Sequence, residues 1–237
     1  MAVKVIKGNI FTSQCQTLVN TVNCDGFMGA GIALEFRLRY PEMYQRYVKL
    51  CEQKMLDVGL LWLYKANDKF ILNFPTKKAW KLPAKEKYLH LGLEKFVETY
   101  RDKGVSSAAF PLLGAGKGGI DQEISLKIMQ DHLKSLDIPI EIYCYDPNAE
   151  DDLFTNLKSW LLSNDIVMIK KITKINEKYI ELTLEALKDS SIKQVGQLGK
   201  VKGIGIKTLE KLFSAGISFE DNIQTLSDSK KQNLLEI

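Results

Sequence analysis

An α/β fold with a mixed sheet flanked by helices on both faces, followed by a small all-α C-terminal module, is what this 237-residue sequence predicts. Three observations lead there. Short apolar or β-branched runs alternate with helical-period segments from residue 3 to residue 162, the pattern of strands covered by helices. Two of the strands run straight into glycine-rich turns that open helices, one near 23–31 and one near 113–119. After Asn164 strand signal almost disappears and lysine-rich, short helical segments take over. The expected organisation is a domain over 1–164 and a helical module over 165–237.

Each element has a local reason. Residues 3–7 alternate as a first strand, and Gly8-Asn9 follows it. Residues 17–22 are apolar or β-branched and read as a second strand. The chain then breaks into a polar glycine turn and becomes an amphipathic helix from Gly31 to about Tyr40, with Ile32, Leu34 and Phe36 on its apolar side. Pro41 suits the first position of another helix, which carries Met43, Tyr44, Tyr47, Val48 and Cys51 at helical spacing. Residues 58–64 and 70–74 read as strands around an Asn67-Asp68 turn, and 75–85 as a basic loop flanked by prolines. A long helix over 86–101 offers Tyr88, Leu91, Leu93, Phe96, Val97 and Tyr100 to a core and ends at Gly104. A strand over 106–110 leads into the second glycine turn, Asp121 caps a helix to about Leu136, and 138–145 is the last strand. Residues 151–162 form a helix with Leu153, Leu157, Trp160 and Leu161 as its stripe.

Composition narrows the function classes. Hydrophobic content is 45%, charged content 26%, net charge +4 and pI about 8.7, which describes a folded, mildly basic chain. No apolar run approaches the roughly 18 residues of a membrane span. The first residues alternate as a strand and lack a signal-peptide core, so a cytoplasmic protein without a membrane partner is expected. Cys15, Cys24, Cys51 and Cys144 form no CxxC pair, and His90 and His132 are the only histidines, so neither a metal site nor a cofactor is expected.

The glycine turns carry the chemistry. A strand, a glycine turn and a helix place backbone N–H groups at a helix N-terminus, where phosphate binds. Two such elements could cradle a diphosphate from two sides, and the amides of Asn20 and Asn23 could meet sugar hydroxyls. The alternative is a pair of ordinary tight loops. Neither turn is a Walker A loop, because Gly114-Ala115-Gly116-Lys117 continues into Gly118-Gly119. In the basic loop, Trp80 is a candidate to stack on a base, whereas Trp62 reads as core.

Five stretches resemble a macrodomain when taken in order: Val5-Ile6-Lys7-Gly8-Asn9-Ile10, Val19-Asn20-Thr21-Val22-Asn23-Cys24, Gly26-Phe27-Met28-Gly29-Ala30-Gly31-Ile32-Ala33, Phe74-Pro75-Thr76-Lys77-Lys78 and Pro111-Leu112-Leu113-Gly114-Ala115-Gly116. The resemblance covers residues 1–162 and is strongest to the branch of DarG antitoxins and terminal ADP-ribose glycohydrolases. It implies a macrodomain-type sheet that binds ADP-ribose at its strand ends and cleaves it from an attachment point. It implies contacts from Gly8, Asn9 and Ile10 near the adenine, where the family commonly has Asp in place of Asn9. Asn20, Asn23, Met28, Gly29, Ala30, Gly31 and Ile32 would serve the ribose and diphosphate from the first turn. Thr76 and the residues Leu113, Gly114, Ala115, Gly116, Lys117 and Gly118 would close the other side.

Lys77 corresponds to the catalytic lysine of that family. An amine near an anomeric carbon can attack it or help the base depart, and the adjacent Lys78 is expected to lower its pKa by repulsion. Some members pair this lysine with an Asp in the second turn, which completes a covalent lysyl route; here the place holds Lys117-Gly118-Gly119, and Asp121 reads as a helix cap, so a lysine–aspartate mechanism is not expected and the DarG-like subgroup, which works without that Asp, is favoured. The implied activity is a glycohydrolase that frees ADP-ribose from ADP-ribosylated DNA, in an antitoxin or repair role, with a DNA-modifying ADP-ribosyltransferase toxin as counterpart. The alternatives are a non-catalytic ADP-ribose reader and a hydrolase of ADP-ribosyl protein carboxylates or free ADP-ribose derivatives.

Residues 195–217 resemble a helix-hairpin-helix motif with Gly203-Ile204-Gly205 as hairpin. Small glycines let backbone N–H groups approach a DNA phosphate, and Lys202, Gly203, Gly205 and Lys207 are the expected contacts. Such contact would be sequence-independent and salt-sensitive. A purely structural hairpin is the alternative.

Overall fold

The structure, a computed structural model, describes residues 3–219. It divides the chain into two compact units, Met1–Asp146 and Pro147–Ile237. The part of the helical module expected over 220–237 lies outside the described residues.

The first unit is built on one six-stranded sheet: β1 (Lys4–Gly8), β2 (Thr17–Val22), β3 (Trp62–Lys65), β4 (Phe70–Pro75), β5 (Ala108–Pro111) and β6 (Ile140–Tyr145). Their order across the sheet is β1-β6-β5-β2-β4-β3. Every neighbouring pair is parallel except β3 with β4. Helices α1 (Gly31–Arg39), α2 (Pro41–Glu52), α3 (Glu86–Thr99) and α4 (Gln122–Leu133) complete the unit. Successive strand residues face opposite ways, so each central strand feeds two cores. Leu18, Ile71 and Ala109 join Phe36, Met43 and Tyr47 of α1 and α2. Val19, Leu72 and Ala108 join Leu89, Leu93 and Phe96 of α3 and Met129 and Leu133 of α4. The mixed sheet with helices on both faces is therefore as expected, and its parallel strands bring their C-terminal loops to one edge.

Several local expectations change. Residues 58–61 are not strand: the Asp57 carboxylate accepts from Val58 N–H, Gly59 has φ +82°, and the resulting turn delays β3 to Trp62. Leu91 is exposed rather than core; the core-facing row of α3 is Leu89, Gly92, Leu93 and Phe96. Gly92 is required there, since a Cβ would lie 2.2 Å from Cζ of the buried Phe74 ring. Helix α1 is not amphipathic: only Phe36 and Leu38 are buried, and its polar residues are themselves packed, with Arg39 stacked 4.1 Å over Phe11 and paired to Glu35 at 2.9 Å.

The second unit consists of α5 (Phe154–Ser163), α6 (Ile166–Thr173), α7 (Glu177–Ala186), a 3-10 segment (Val195–Lys200) and α8 (206–219). Its division from the first unit falls earlier than the expected 164/165 boundary, so α5 sits in this unit. The packing gives the reason. Gly216 of α8 lies against Leu153 and Leu157, and the Trp160 and Phe219 rings pack at a 42° tilt with centroids 4.6 Å apart. The Asp151 carboxylate accepts from Leu153 N–H and Val195 N–H, tying the start of α5 to the 3-10 segment. The stripe of α5 is thus spent on α8. No helix among the described residues is long and apolar enough to cross a membrane.

Candidate functional site

Three loops that follow parallel strands converge: 23–30 after β2, 76–85 after β4 and 112–121 after β5. They are tied by backbone bonds. Cys24 N–H donates to Lys78 C=O at 3.0 Å, Thr76 N–H to Val22 C=O at 2.9 Å, and Ala84 N–H to Gly118 C=O at 2.9 Å. The two glycine turns also approach each other. Gly31 starts α1 with φ +57°, and a Cβ there would lie 3.9 Å from Lys117 Cγ. In the second turn Gly114 and Gly116 have positive φ, and a Cβ on Gly114 would lie 2.8 Å from Ile120 Cδ1 and 3.1 Å from Ala84 Cβ. Glycine is needed at Gly114 on both counts.

Lys77 lies where these loops meet. Its Nζ donates to the Lys117 carbonyl at 2.6 Å, joining the β4 loop to the second glycine turn. Its pKa is lowered by burial. That replaces the expected cause: repulsion by Lys78 plays no part, because Lys78 turns the opposite way and pairs with Asp57 at 3.2 Å. Asp57 in turn raises the pKa of Lys78 through its hydrogen bond and charge. The adjacent lysines thus diverge, one into the loop junction and one to the surface. Cys24 is no rival nucleophile, since burial, then the charge of Asp57, pushes its thiol up to about 12. Asp121 caps α4 by accepting from Glu123 and Ile124 N–H, as the sequence suggests.

The expected ligand contacts separate into three groups. Gly29, Ala30, Gly31, Gly116 and Lys117 are exposed at the loop edges, with Ile32 and Ala115 half-buried beside them. Gly118 and Thr76 are buried, yet both carry backbone groups that join the loops. Asn20, Met28 and Leu113 do not reach the surface; all are 0% exposed. Asn20 lies on β2 opposite Asn73 of β4, donates to its amide oxygen at 3.0 Å, and has no partner for its own Oδ1. Met28 and Leu113 fill the cores below their turns. These three are supports for the loops rather than surfaces a ligand can touch.

Asn23 and Asn9 also have structural duties. Asn23 Oδ1 accepts from Asp25 N–H, Phe27 N–H and Tyr47 O–H, while Nδ2 donates to Phe27 C=O at 2.5 Å. The side chain shapes the first turn and keeps only its second amide proton for a ligand. Asn9 caps a 3-10 turn (Ile10–Thr12) by accepting from Phe11 N–H at 3.1 Å; beside it Gly8 and Ile10 are buried. Tyr47 was expected only as core, but its hydroxyl on Asn23 makes it a support of the turn.

In the second unit the hairpin residues Lys202, Gly203, Gly205 and Lys207 are all exposed. Gly203 has φ +98°, and a Cβ on it would lie 3.1 Å from Leu182 of α7, so the hairpin needs glycine there to pack. Thr208 and Leu209 N–H both donate to Gly205 C=O at 3.1 Å, which starts α8. Lys211, on α8, donates to the Lys174 carbonyl.

Comparison with known proteins agrees with this geometry. The Macro domain family model matches residues 19–129. A Thermus aquaticus protein named DNA ADP-ribosyl glycohydrolase is 37% identical over 148 residues, which is 61% of this chain and 41% of that protein. The chain thus spans well under half the length of this curated relative. The solved macrodomain of Mycobacterium tuberculosis DarG is 38% identical, with a TM-score of 0.58 and coverage of 60% of this chain and 96% of that one. A structure of Thermosipho africanus DarTG in complex with ADP-ribose is 33% identical with a TM-score of 0.58, covering 61% of this chain and 42% of that one. On the sheet order, the paired glycine turns and these matches together, the chain belongs to the macrodomain family, and its first unit is similar to the macrodomains of DarG.

Proposed function

We propose that the first unit is an ADP-ribosyl glycohydrolase that frees ADP-ribose from DNA, and that the second unit holds the DNA backbone. The observation that carries the reading is the Lys77 amine, held 2.6 Å from the Lys117 carbonyl of the second glycine turn, with its pKa lowered by burial. The exposed edges of the turns, Gly29 to Gly31 and Gly116 to Lys117, would offer backbone N–H groups to a diphosphate. The bond donated to Lys117 C=O fixes one amine proton and so orients Nζ. As the free amine, Lys77 attacks the anomeric carbon, and the base leaves with the glycosidic electron pair and takes a proton from water. Water then hydrolyses the lysine adduct, releasing ADP-ribose and restoring the amine.

DNA as the cargo is supported by the name of the Thermus aquaticus relative and by the exposed hairpin lysines. A transferase that places ADP-ribose on DNA is the expected counterpart, since this reaction consumes its product. The test is release of ADP-ribose from modified DNA and modified protein, side by side. Release from DNA alone supports the reading. Release from protein alone moves the substrate to carboxylates, and tight binding of ADP-ribose with no release makes the chain a reader.

A further inference from the structure

Two large rings stand at the surface beside the Lys77 loop. Phe27 and Trp80 are 55% and 48% exposed, although residues of this size ordinarily turn inward. They stack on each other, with centroids 5.4 Å apart and planes 23° from parallel. Their backbones are fixed on both sides. The Asp25 carboxylate accepts the Trp80 N–H through both oxygens at 3.1 and 3.2 Å, and Asn23 Oδ1 accepts the Phe27 N–H. Lys81 Nζ lies 5.2 Å from the Trp80 ring centroid, and the segment 77–87 holds five lysines against one glutamate.

We propose that the Phe27–Trp80 pair is a stacking platform for a nucleobase of a single strand, next to the nucleotide that carries ADP-ribose, with Lys81 meeting its phosphate. The proposal deepens the reading above and rests on it. A flat, exposed ring pair with a cation beside it matches a base joined to a phosphate, and base–aromatic stacking tolerates any sequence because every base has a π-face. A protein carboxylate offers no such ring. A duplex keeps its bases stacked inside, so the platform selects an unpaired strand. Because Asp25 and Asn23 fix the backbones that carry the rings, and the rings already stack on each other, little side-chain freedom is lost when a base stacks on them. The first unit would then grip the strand beside the bond it cuts, without help from the hairpin.

The test uses the full chain with two substrates, an ADP-ribosylated mononucleoside and an ADP-ribosylated single-stranded oligonucleotide. Trp80→Ala should lower kcat/KM on the oligonucleotide by about 5- to 150-fold, the range set by loss of one stacked base, mainly through KM. The mononucleoside should react as before, and Trp80→Phe should restore most of the oligonucleotide rate. Equal losses on both substrates, or no loss on either, overturn the platform. A second measurement needs no hydrolysis: unmodified oligothymidylate should quench tryptophan fluorescence in the wild type but not in Trp80→Phe. Quenching without any release of ADP-ribose from DNA supports the platform and overturns the glycohydrolase reading. Release from DNA without quenching overturns the platform alone.

Discussion

Each unit presents glycines at the start of a helix, and the two settings differ in what surrounds them. In the first unit the Gly31 and Gly114–Gly118 turns approach each other, and the Lys77 amine is bonded to the second of them with its pKa lowered by burial. In the second, Gly203 and Gly205 stand open, with Lys202 and Lys207 exposed beside them. The same backbone device, glycines ahead of a helix, therefore stands in two different settings. Enclosure changes the chemistry of a lysine, whereas exposure leaves lysine as a screened point charge. The contrast teaches that a glycine turn opening a helix is only a geometry suited to an anion, and that the loop packed beside it sets the surroundings of the nearby lysine.

The largest effect should come from Lys77. Lys77→Ala should lower single-turnover release of ADP-ribose by orders of magnitude, because the attacking group itself is removed. Calorimetric affinity for ADP-ribose should stay within about threefold, because the glycine turns and not the amine hold the diphosphate. Lys78→Ala should leave the rate unchanged, since that side chain faces Asp57. The wild-type rate should climb with pH through an inflection below 10.5, because burial lowers the pKa and the free amine is the attacking form. A rate that falls with rising pH over the same range would assign the work to the ammonium instead.

Next in size is Gly31→Glu. Its φ of +57° costs a side chain about 1–2 kcal/mol, and the new carboxylate would face the place of a diphosphate. ADP-ribose affinity should fall by about 100-fold, which is about 2.7 kcal/mol. The melting temperature should fall only slightly. Unchanged affinity would break the comparison, since the first turn would then bind nothing.

Two glycines that bind nothing probe packing in the two units. Gly92→Ala drives a methyl to 2.2 Å from the rigid Phe74 ring, and overpacking of this kind costs about 1–3 kcal/mol. Gly199→Ala meets only the end of Leu209, at 3.0 Å, which can rotate away. Chemical denaturation should show a clear loss for the first and a small change for the second.

Much of this was legible in the sequence, and what was not has specific causes. The strands, their alternation and the two turns are local patterns, and each was readable because period and glycine carry it. The pairing of Lys77 with the second turn needs a contact across forty positions, which no local pattern encodes. Asn20 and Met28 lie within the right motif but point inward, since a motif gives position along the chain and not side-chain direction. The His90–His132 contact at 2.9 Å, which joins α3 to α4 across 42 positions, was hidden for the same reason. Helix α5 was misplaced because an apolar stripe tells that a helix packs, not on what. That correction can be tested by truncation. A chain ending at Asp146 should keep a cooperative melting transition, while one ending at Asn164 should aggregate, because Leu153 and Leu157 lose the cover of α8.

The smallest effect should come from the open hairpin, and its form matters more than its size. Lys202 and Lys207 are exposed, so any contact with DNA exchanges them against condensed counterions instead of building a desolvated pair. Replacing both with Glu should lower affinity at low salt and flatten its dependence on salt. Each lost phosphate contact should reduce the log–log slope by about 0.9 on duplex DNA or about 0.7 on a single strand. Release of ADP-ribose from a mononucleoside should not change, because Lys77 and both glycine turns belong to the other unit. Replacing Gly203 tests the backbone rather than the charge. At φ +98° with Leu182 at 3.1 Å, Gly203→Ala should distort the hairpin while leaving both lysines in the chain. If N–H groups at the hairpin grip a phosphate, this neutral change should weaken DNA binding as well. If the lysines alone attract the backbone, affinity should survive Gly203→Ala and fail only on charge reversal, and the likeness between the two glycine settings would end at their geometry.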